Sequence, residues 1–431
     1  MSSKGKSSAA RSGAAALGPK LRFPEFRGAP GWRITKLNSL LFETKHRNRS
    51  LELGREDVLS VSGEHGCVNQ IEFLGRSYAG ASVKEYHVVE QGDIVYTKSP
   101  LKKNPYGIIK ENKGKRGIVS TLYAVYRPFP KCSSTYLDHF FSVDYHLNSY
   151  LQPIVRKGAK NDMKVNNADV LKGDICVPDL VEQQKIAECL DTADALIALQ
   201  GKKVEALRVH KKGLMQQIFP LEGETQPRVR FPEFVGAGDW QEISLGQIVV
   251  VASGQIDPTQ MPYRSLPQIG SENIEANTSK LIDLKTAGDK GISSGNYVFD
   301  EEDILYSKIR PALNKVAAPN FNGICSADIY PVRPSDDRLL RDYLLYLLLS
   351  DGFLEHAKRN SERGKIPKIN RAGLLSYRAL LPEPREQRRI AESLISLDEL
   401  IDAEARNLET LKTHKKGLMQ QLFPQVGERD A

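Results

Sequence analysis

At 431 residues the chain has room for about three domains. With 26% charged and 40% hydrophobic residues it has the composition of a soluble globular protein, and its net charge of +8, with a pI near 9.0, suits a nucleic-acid partner. The five cysteines (Cys67, Cys132, Cys176, Cys189, Cys325) are scattered, odd in number and never in C-x-x-C spacing, which argues against a zinc ribbon and for free thiols in a reducing cytoplasm.

Residues 1–18 are mostly Ser, Ala, Gly and Lys with no apolar core segment, so they read as a disordered leader and not a signal peptide. A first globular domain is expected over 19–178. It opens on PKLRFPEFRGAPGWRITKL (Pro19 to Leu37), where proline fixes an extended entry and the aromatics have a core to fill. Short strands broken by Gly, Asn and Pro follow, with candidates at Asp57–Val61, Asp93–Lys98, Gly117–Val125 and Asp174–Val177, and one helix near Tyr136–Val155.

A first long helix occupies 179–220, built on EQQKIAECLDTADALIALQGKKVEALRVHKKGLMQQIFP from Glu182. Ile186, Leu190, Ala193, Ile197, Val204, Leu207 and Leu214 follow the alternating three-and-four spacing of a heptad, a narrow apolar seam suited to a partner helix. After a linker and second entrance at 221–230, the pattern repeats. RFPEF recurs at Arg230–Phe234, followed by Trp240 as the first copy is followed by Trp32. Within a second domain over 231–382, DILYSK from Asp303 matches DIVYTK from Asp93, and GICSADIYPVRP from Gly323 matches GIVSTLYAVYRP from Gly117. The apolar run Leu339–Leu349 contains Arg341 and Asp342 and is too short to span a bilayer, so it reads as a core helix.

The second long helix, 383–424, begins its repeat at Glu386 and precedes a tail at 425–431. It matches the first at 21 of 39 positions, at an offset of 204, and its seam is Ile390, Leu394, Leu397, Ile401, Leu408, Leu411 and Leu418. Two copies of one seam, separated by a domain-sized insert, predict that the helices pair with each other. The helices match over more than half their length, whereas the globular parts match mainly at strand cores. A shared scaffold with different loops could present two different binding surfaces.

No catalytic constellation is expected. There is no G-x-x-x-x-G-K-[ST] phosphate loop and no H-E-x-x-H. Asn104-Pro105-Tyr106 lacks the second proline of the amino-methyltransferase turn, and Asp138-His139 and Asp144–His146 fall in the expected helix, so no metal site is assigned. Basic residues instead cluster on expected loops, at matching places in both domains. In the first domain these are Lys98, Lys102, Lys103, Lys113, Lys115 and Arg116, with only Glu111 opposing, and then Arg156, Lys157, Lys160, Asn161 and Lys164. In the second they are Lys308, Arg310, Asn314 and Lys315, and then Arg359, Arg363, Lys365, Lys368, Asn370 and Arg371. Lysine and arginine neutralise phosphates, while arginine and asparagine can also read base edges, so these are the candidate DNA contacts.

Repeated entrances, E-Q-x-x-I-A helix starts at Glu182 and Glu386, and HKKGLMQQ closing both helices make the chain resemble the specificity subunit of type I restriction–modification systems. That resemblance implies an α+β architecture of two tandem pseudo-symmetric target-recognition domains separated by two long helices that form an antiparallel coiled coil. It implies a non-catalytic, sequence-specific DNA-binding subunit in which each domain reads one half of a bipartite target. The helices would set the spacer and dock two modification subunits carrying S-adenosylmethionine, with motor–nuclease restriction subunits as further partners. No cofactor would reside in this chain. Two other readings stay open on the residues alone: a stand-alone DNA methyltransferase or nuclease, and a scaffold that binds only protein.

Overall fold

In the computed structural model, residues 18–98, 101, 103–157, 163–220, 223–362 and 364–424 are described, with the backbone alone at 157, 163 and 164. Nearly all of the expected leader, the tail, Lys102, Lys160, Asn161 and Arg363 lie outside the described residues. The chain divides into two compact units: one holds 1–200 with 407–431, the other 201–406.

The first unit is built on a four-stranded antiparallel sheet ordered Leu41–Glu43, Tyr123–Pro128, Ile94–Thr97, Ile108–Glu111. The second contains the same sheet in the same order: Val249–Val251, Ile329–Pro334, Ile304–Ser307, Val316–Ala317. The internal repeat thus has a physical meaning. Its two recurrent blocks are neighbouring strands, with Ile94 opposite Tyr126 and Ile304 opposite Val332. Each pair is closed by one ion pair at its end. Arg127 donates to Asp93 at 2.8 Å, and Arg333 donates to Asp303 at 2.9 Å, both aspartates being buried.

Two expected elements are divided. The Gly117–Val125 run is two strands, Gly117–Val119 and Tyr123–Pro128, because Ser120 turns the chain with its carbonyl accepting from the Tyr123 amide. The first of these pairs with His87–Val89, away from the main sheet. The helix expected near Tyr136–Val155 is two, Ser134–Phe141 and Asp144–Leu151, parted at Ser142, whose amide and hydroxyl both close the first helix onto the Asp138 carbonyl.

The long helices run Leu180–Ile218 and Pro384–Leu422. Proline at the first turn of the second costs no hydrogen bond there. Each unit contains part of both helices, and in each the two parts run antiparallel. In the first unit Lys415 meets Asp194, while Leu422 and Phe423, further on, enter the core that holds Ile186 and Leu190. In the second, Lys203 meets Glu404 and Lys211 meets Asp398, while Ile218 and Phe219 enter the core with Ile390 and Leu394. Of the seam residues, Ile186, Leu190, Val204, Ile390, Leu394 and Ile401 are buried. Ile197, Leu207, Leu214, Leu397, Leu408, Leu411 and Leu418 are half-buried, as expected where one helix can shield only one side of its neighbour.

The E-Q pair that opens each repeat is an anchor. Glu182 accepts from the Arg22 guanidinium at 2.8 and 2.7 Å and from the Trp32 indole at 3.2 Å, and Glu386 accepts from Arg230 at 2.8 and 2.7 Å. Gln183 donates to the Pro178 carbonyl and accepts from the Ser133 amide, and Gln387 does the same with Pro382 and Leu340. The RFPEF entrance therefore clamps the start of the helix that leaves its own domain.

Candidate nucleic-acid interface

In both units the candidate cations start from one hairpin, the one joining the third and fourth strands of the main sheet. In the first unit its loop runs from Lys98 to Gly107; in the second it runs from Lys308 to Lys315. Gly107, at φ +95°, sits where a Cβ would collide with the Thr97 carbonyl, so only glycine allows this loop to close.

The first-unit cations separate into bound and free. Lys98 is half-buried at the strand end, and burial pulls its ammonium pKa down, an effect that Glu43 partly offsets. Lys103 is exposed, with its carbonyl held by Asn148 at 3.2 Å. Lys113 is committed to Asp191 at 2.8 Å on the first long helix and lies 3.7 Å from Asp138. Arg116 reaches Glu90 at 3.0 Å and Glu52 at 3.4 Å. The expectation of a single opposing acid is therefore corrected. Glu111 is buried and turned toward Ser134 and Thr135, while four acids distant in sequence face Lys113 and Arg116 instead. Lys115 and Arg156 are exposed and have no side-chain partner among the described residues. Arg156–Lys157 and Met163–Lys164 form a two-stranded ladder.

In the second unit the two basic stretches, far apart in sequence, come together. Ile309 and Lys368 form a bridge, the Ile369 amide donates to the Lys308 carbonyl at 2.9 Å, and the Arg310 amide donates to the Pro367 carbonyl at 2.7 Å. Lys308 and Arg371 both lie over the ring of Tyr330, at 5.3 and 6.0 Å from its centroid, close enough for cation–π attraction. Arg371 also donates to the Ala252 carbonyl at 2.5 Å. Lys315 donates to the Ser271 carbonyl at 2.6 Å, and Lys368 pairs with Glu362 at 3.6 Å. Asn314 is buried, donating to the Leu349 carbonyl at 3.0 Å, and Asn370 caps the helix Arg371–Leu375 through the Gly373 amide at 2.8 Å. Asn314 thus faces protein, while Asn370 is exposed with its Oδ1 committed to the cap. Arg359 and Lys365 are exposed. Tyr330, the platform of this cluster, is absent from the sequence-derived candidates, as are the exposed apolar Leu313 and Ile366 beside it.

One cluster with metal-ligand chemistry forms among the described residues: His139, Asp191 and Asp194. His139 Nε2 lies 2.9 Å from Asp191, and burial keeps the imidazole pKa below its usual value despite that carboxylate. Asp191 is also bonded to Lys113 and Asp194 to Lys415, so lysine ammonium groups already neutralise both carboxylates. No described helix is long and apolar enough to cross a membrane.

The description "Type I restriction modification DNA specificity domain" belongs to the family model that matches residues 237–413. This stretch of the chain is similar to a type I DNA specificity domain. Curated relatives extend the likeness beyond that domain. The EcoDI specificity subunit of Escherichia coli is 28% identical over 281 residues, 59% of this chain and 60% of that protein. The MjaVIII specificity subunit of Methanocaldococcus jannaschii is 25% identical, over 58% of this chain and 61% of its own length. The chain thus spans about three-fifths of the length of the curated relatives it matches. Solved structures share the fold around the specificity domain from end to end. The S subunit of a type I system from M. genitalium superposes with a TM-score of 0.57 at 13% identity, covering 95% of this chain and all of that one. A chain from a type I R-M assembly superposes at 0.54 and 18%, covering 92% and 98%.

Proposed function

We propose that this chain is the sequence-specific DNA-binding specificity subunit of a type I restriction–modification complex. The observation that carries this is the repetition of one scaffold with unequal surfaces. Sheet order, strand-end ion pair and helix anchor recur in both units, while the loops around them differ in length and charge. A constant frame with variable loops is what two readers of unrelated half-sites require. The match of 237–413 to a DNA specificity domain supports DNA as what this frame reads.

On this reading the chain performs no chemistry. S-adenosylmethionine and the methyl-transfer site belong to two modification subunits that dock on the paired helices, and a motor–nuclease subunit supplies cleavage. The helices fix the gap between half-sites, and the complex works in the cytoplasm. Mapping methylated bases in a host that expresses this chain with its modification subunit tests the proposal, with a bipartite motif as the expected result. Exchanging residues 35–178 for those of a relative should then change one half of the motif and leave the other. Methyl transfer by the purified chain alone, supplied with S-adenosylmethionine, would refute it.

A further inference from the structure

The turn between Ile304–Ser307 and Val316–Ala317 holds its backbone in an unfavourable shape. Arg310 and Asn314 both have φ of 47°, in the left-handed region, and they bracket the short helical turn Pro311–Leu313. No glycine relieves either position. Asparagine tolerates this region, but arginine has no such excuse, so the surrounding structure must impose it. The restraints can be named. The Arg310 amide is tied to Pro367, the Leu313 amide to the Arg310 carbonyl at 2.9 Å, and Asn314 to Leu349 through its side chain and to the Asn277 amide through its carbonyl.

The Arg310 side chain is then left with nothing to do inside the protein. It is exposed and has no hydrogen bond or ion pair among the described residues. Near it along the chain, or next to its backbone partner Pro367, are Leu313 and Ile366, both exposed and apolar, and Lys365, which has no side-chain partner among the described residues. Lys308, two residues before it, and Arg371 both lie over the ring of Tyr330. A phosphate contact needs only a cation on a flexible stem. A base contact needs a planar fork on a stem whose root is fixed before DNA arrives, and an apolar rim that sheds water next to it. The strained, tethered turn supplies the second set of conditions.

We infer that Arg310 reads a base edge in the half-site of the second unit, with guanine as the base whose acceptors match its fork, and that Lys365 holds an adjoining phosphate. This rests on the DNA-recognition reading given above and assigns the residue that carries it. The test uses the full chain assembled with its modification subunits and a pool of sequence-randomised duplex DNA, from which bound molecules are selected and sequenced. Wild type should enrich a bipartite motif. Arg310→Lys keeps the charge and loses the fork. It should cost about tenfold or more in preference at one base pair of one half-site, with the other positions and the salt dependence unchanged. Arg310→Gly, which also relieves the strained backbone, should lose the same position. Lys365→Gln should weaken binding evenly and flatten the slope of log affinity against log salt by about one. An unchanged motif with Arg310→Lys, or an even loss across sequences, overturns the assignment. A wild-type chain that enriches no motif would instead overturn the DNA-recognition reading itself.

Discussion

Lys211 and Asp398 are joined through both carboxylate oxygens, at 2.6 and 2.7 Å, and at an offset of 204 residues Lys415 and Asp194 repeat the contact with the donor and acceptor helices exchanged. Each lysine is the first of the two in H-K-K, which explains why that motif closes both helices. The copies differ in burial. The Lys211 side chain is 9% exposed, and Asp398 also accepts from the Tyr346 hydroxyl at 2.9 Å, whereas the Asp194 side chain is 44% exposed. Asp398→Ala leaves a buried ammonium unpaired and should destabilise the second unit by about 3 kcal/mol. Asp194→Ala should cost the first unit about 1 kcal/mol or less. Urea unfolding of both variants checks this, and equal losses would contradict it.

The entrance clamps make a second, separable prediction. Glu386 is 1% exposed and its partner Arg230 is 10% exposed. Glu386→Ala strands the guanidinium and should cost about 3–5 kcal/mol, while Glu386→Gln, which still accepts one hydrogen bond, should cost less. Since the clamp lies inside the domain, the folded fraction of either variant should recognise the wild-type DNA motif. A changed motif would mean that the clamp also orients the reading loops.

Acid should open the first unit before the second. His87 is held to a pKa of about 4 by burial and then by the charge of Arg47, and His146 to about 4 by burial alone. The unfolded histidine titrates near 6.5, so as pH falls the unfolded chain takes up protons first. Stability therefore declines from about pH 6.5 down to about pH 4 and levels off below, with each histidine contributing up to about 3 kcal/mol. Both lie in the first unit. Hydrogen exchange measured against pH should show its amides losing protection first, and His146→Gln should shallow that decline. Equal acid sensitivity of the two units would refute the account.

Lys113 and Lys115 are two residues apart with opposite expected roles. Lys113→Gln removes the lysine partner of Asp191, leaving His139, and should lower the thermal midpoint of the first unit while leaving the salt dependence of DNA binding unchanged. Lys115→Gln should leave stability within about 0.5 kcal/mol and, if its charge meets a phosphate, flatten the salt slope by about one.

The contrast between those two lysines shows what the sequence could yield. The long helices were legible because a 3.5-residue period is a local property, visible in one copy and doubled by the second. The paired strands were legible as repeats for the same reason. Ion-pair partners were not. Lys113 looks free beside Gly114 and Lys115, and its partner Asp191 is remote in sequence. Asn314 reads as a polar loop residue until Leu349 is seen to accept its amide. Counting charges along a chain counts only neighbours in one dimension, and every correction at this surface comes from a neighbour in three.

The burial of Phe423 in the first unit has a consequence for the order in which the protein can be made. Its ring meets those of Tyr136 and Phe140, with centroids 5.5 and 5.6 Å apart. The second unit is one continuous stretch, 201–406, and can close its core as soon as that stretch leaves the ribosome. The first unit cannot, because its last wall is translated after the whole of the second. At the usual pace of synthesis this is a delay on the order of ten to forty seconds. Through that interval Tyr136 and Phe140 lack their final cover, so the half of the protein that is made first is the half completed last. A released chain truncated shortly after residue 406 should have a protease-resistant second unit attached to a first unit that is still digestible.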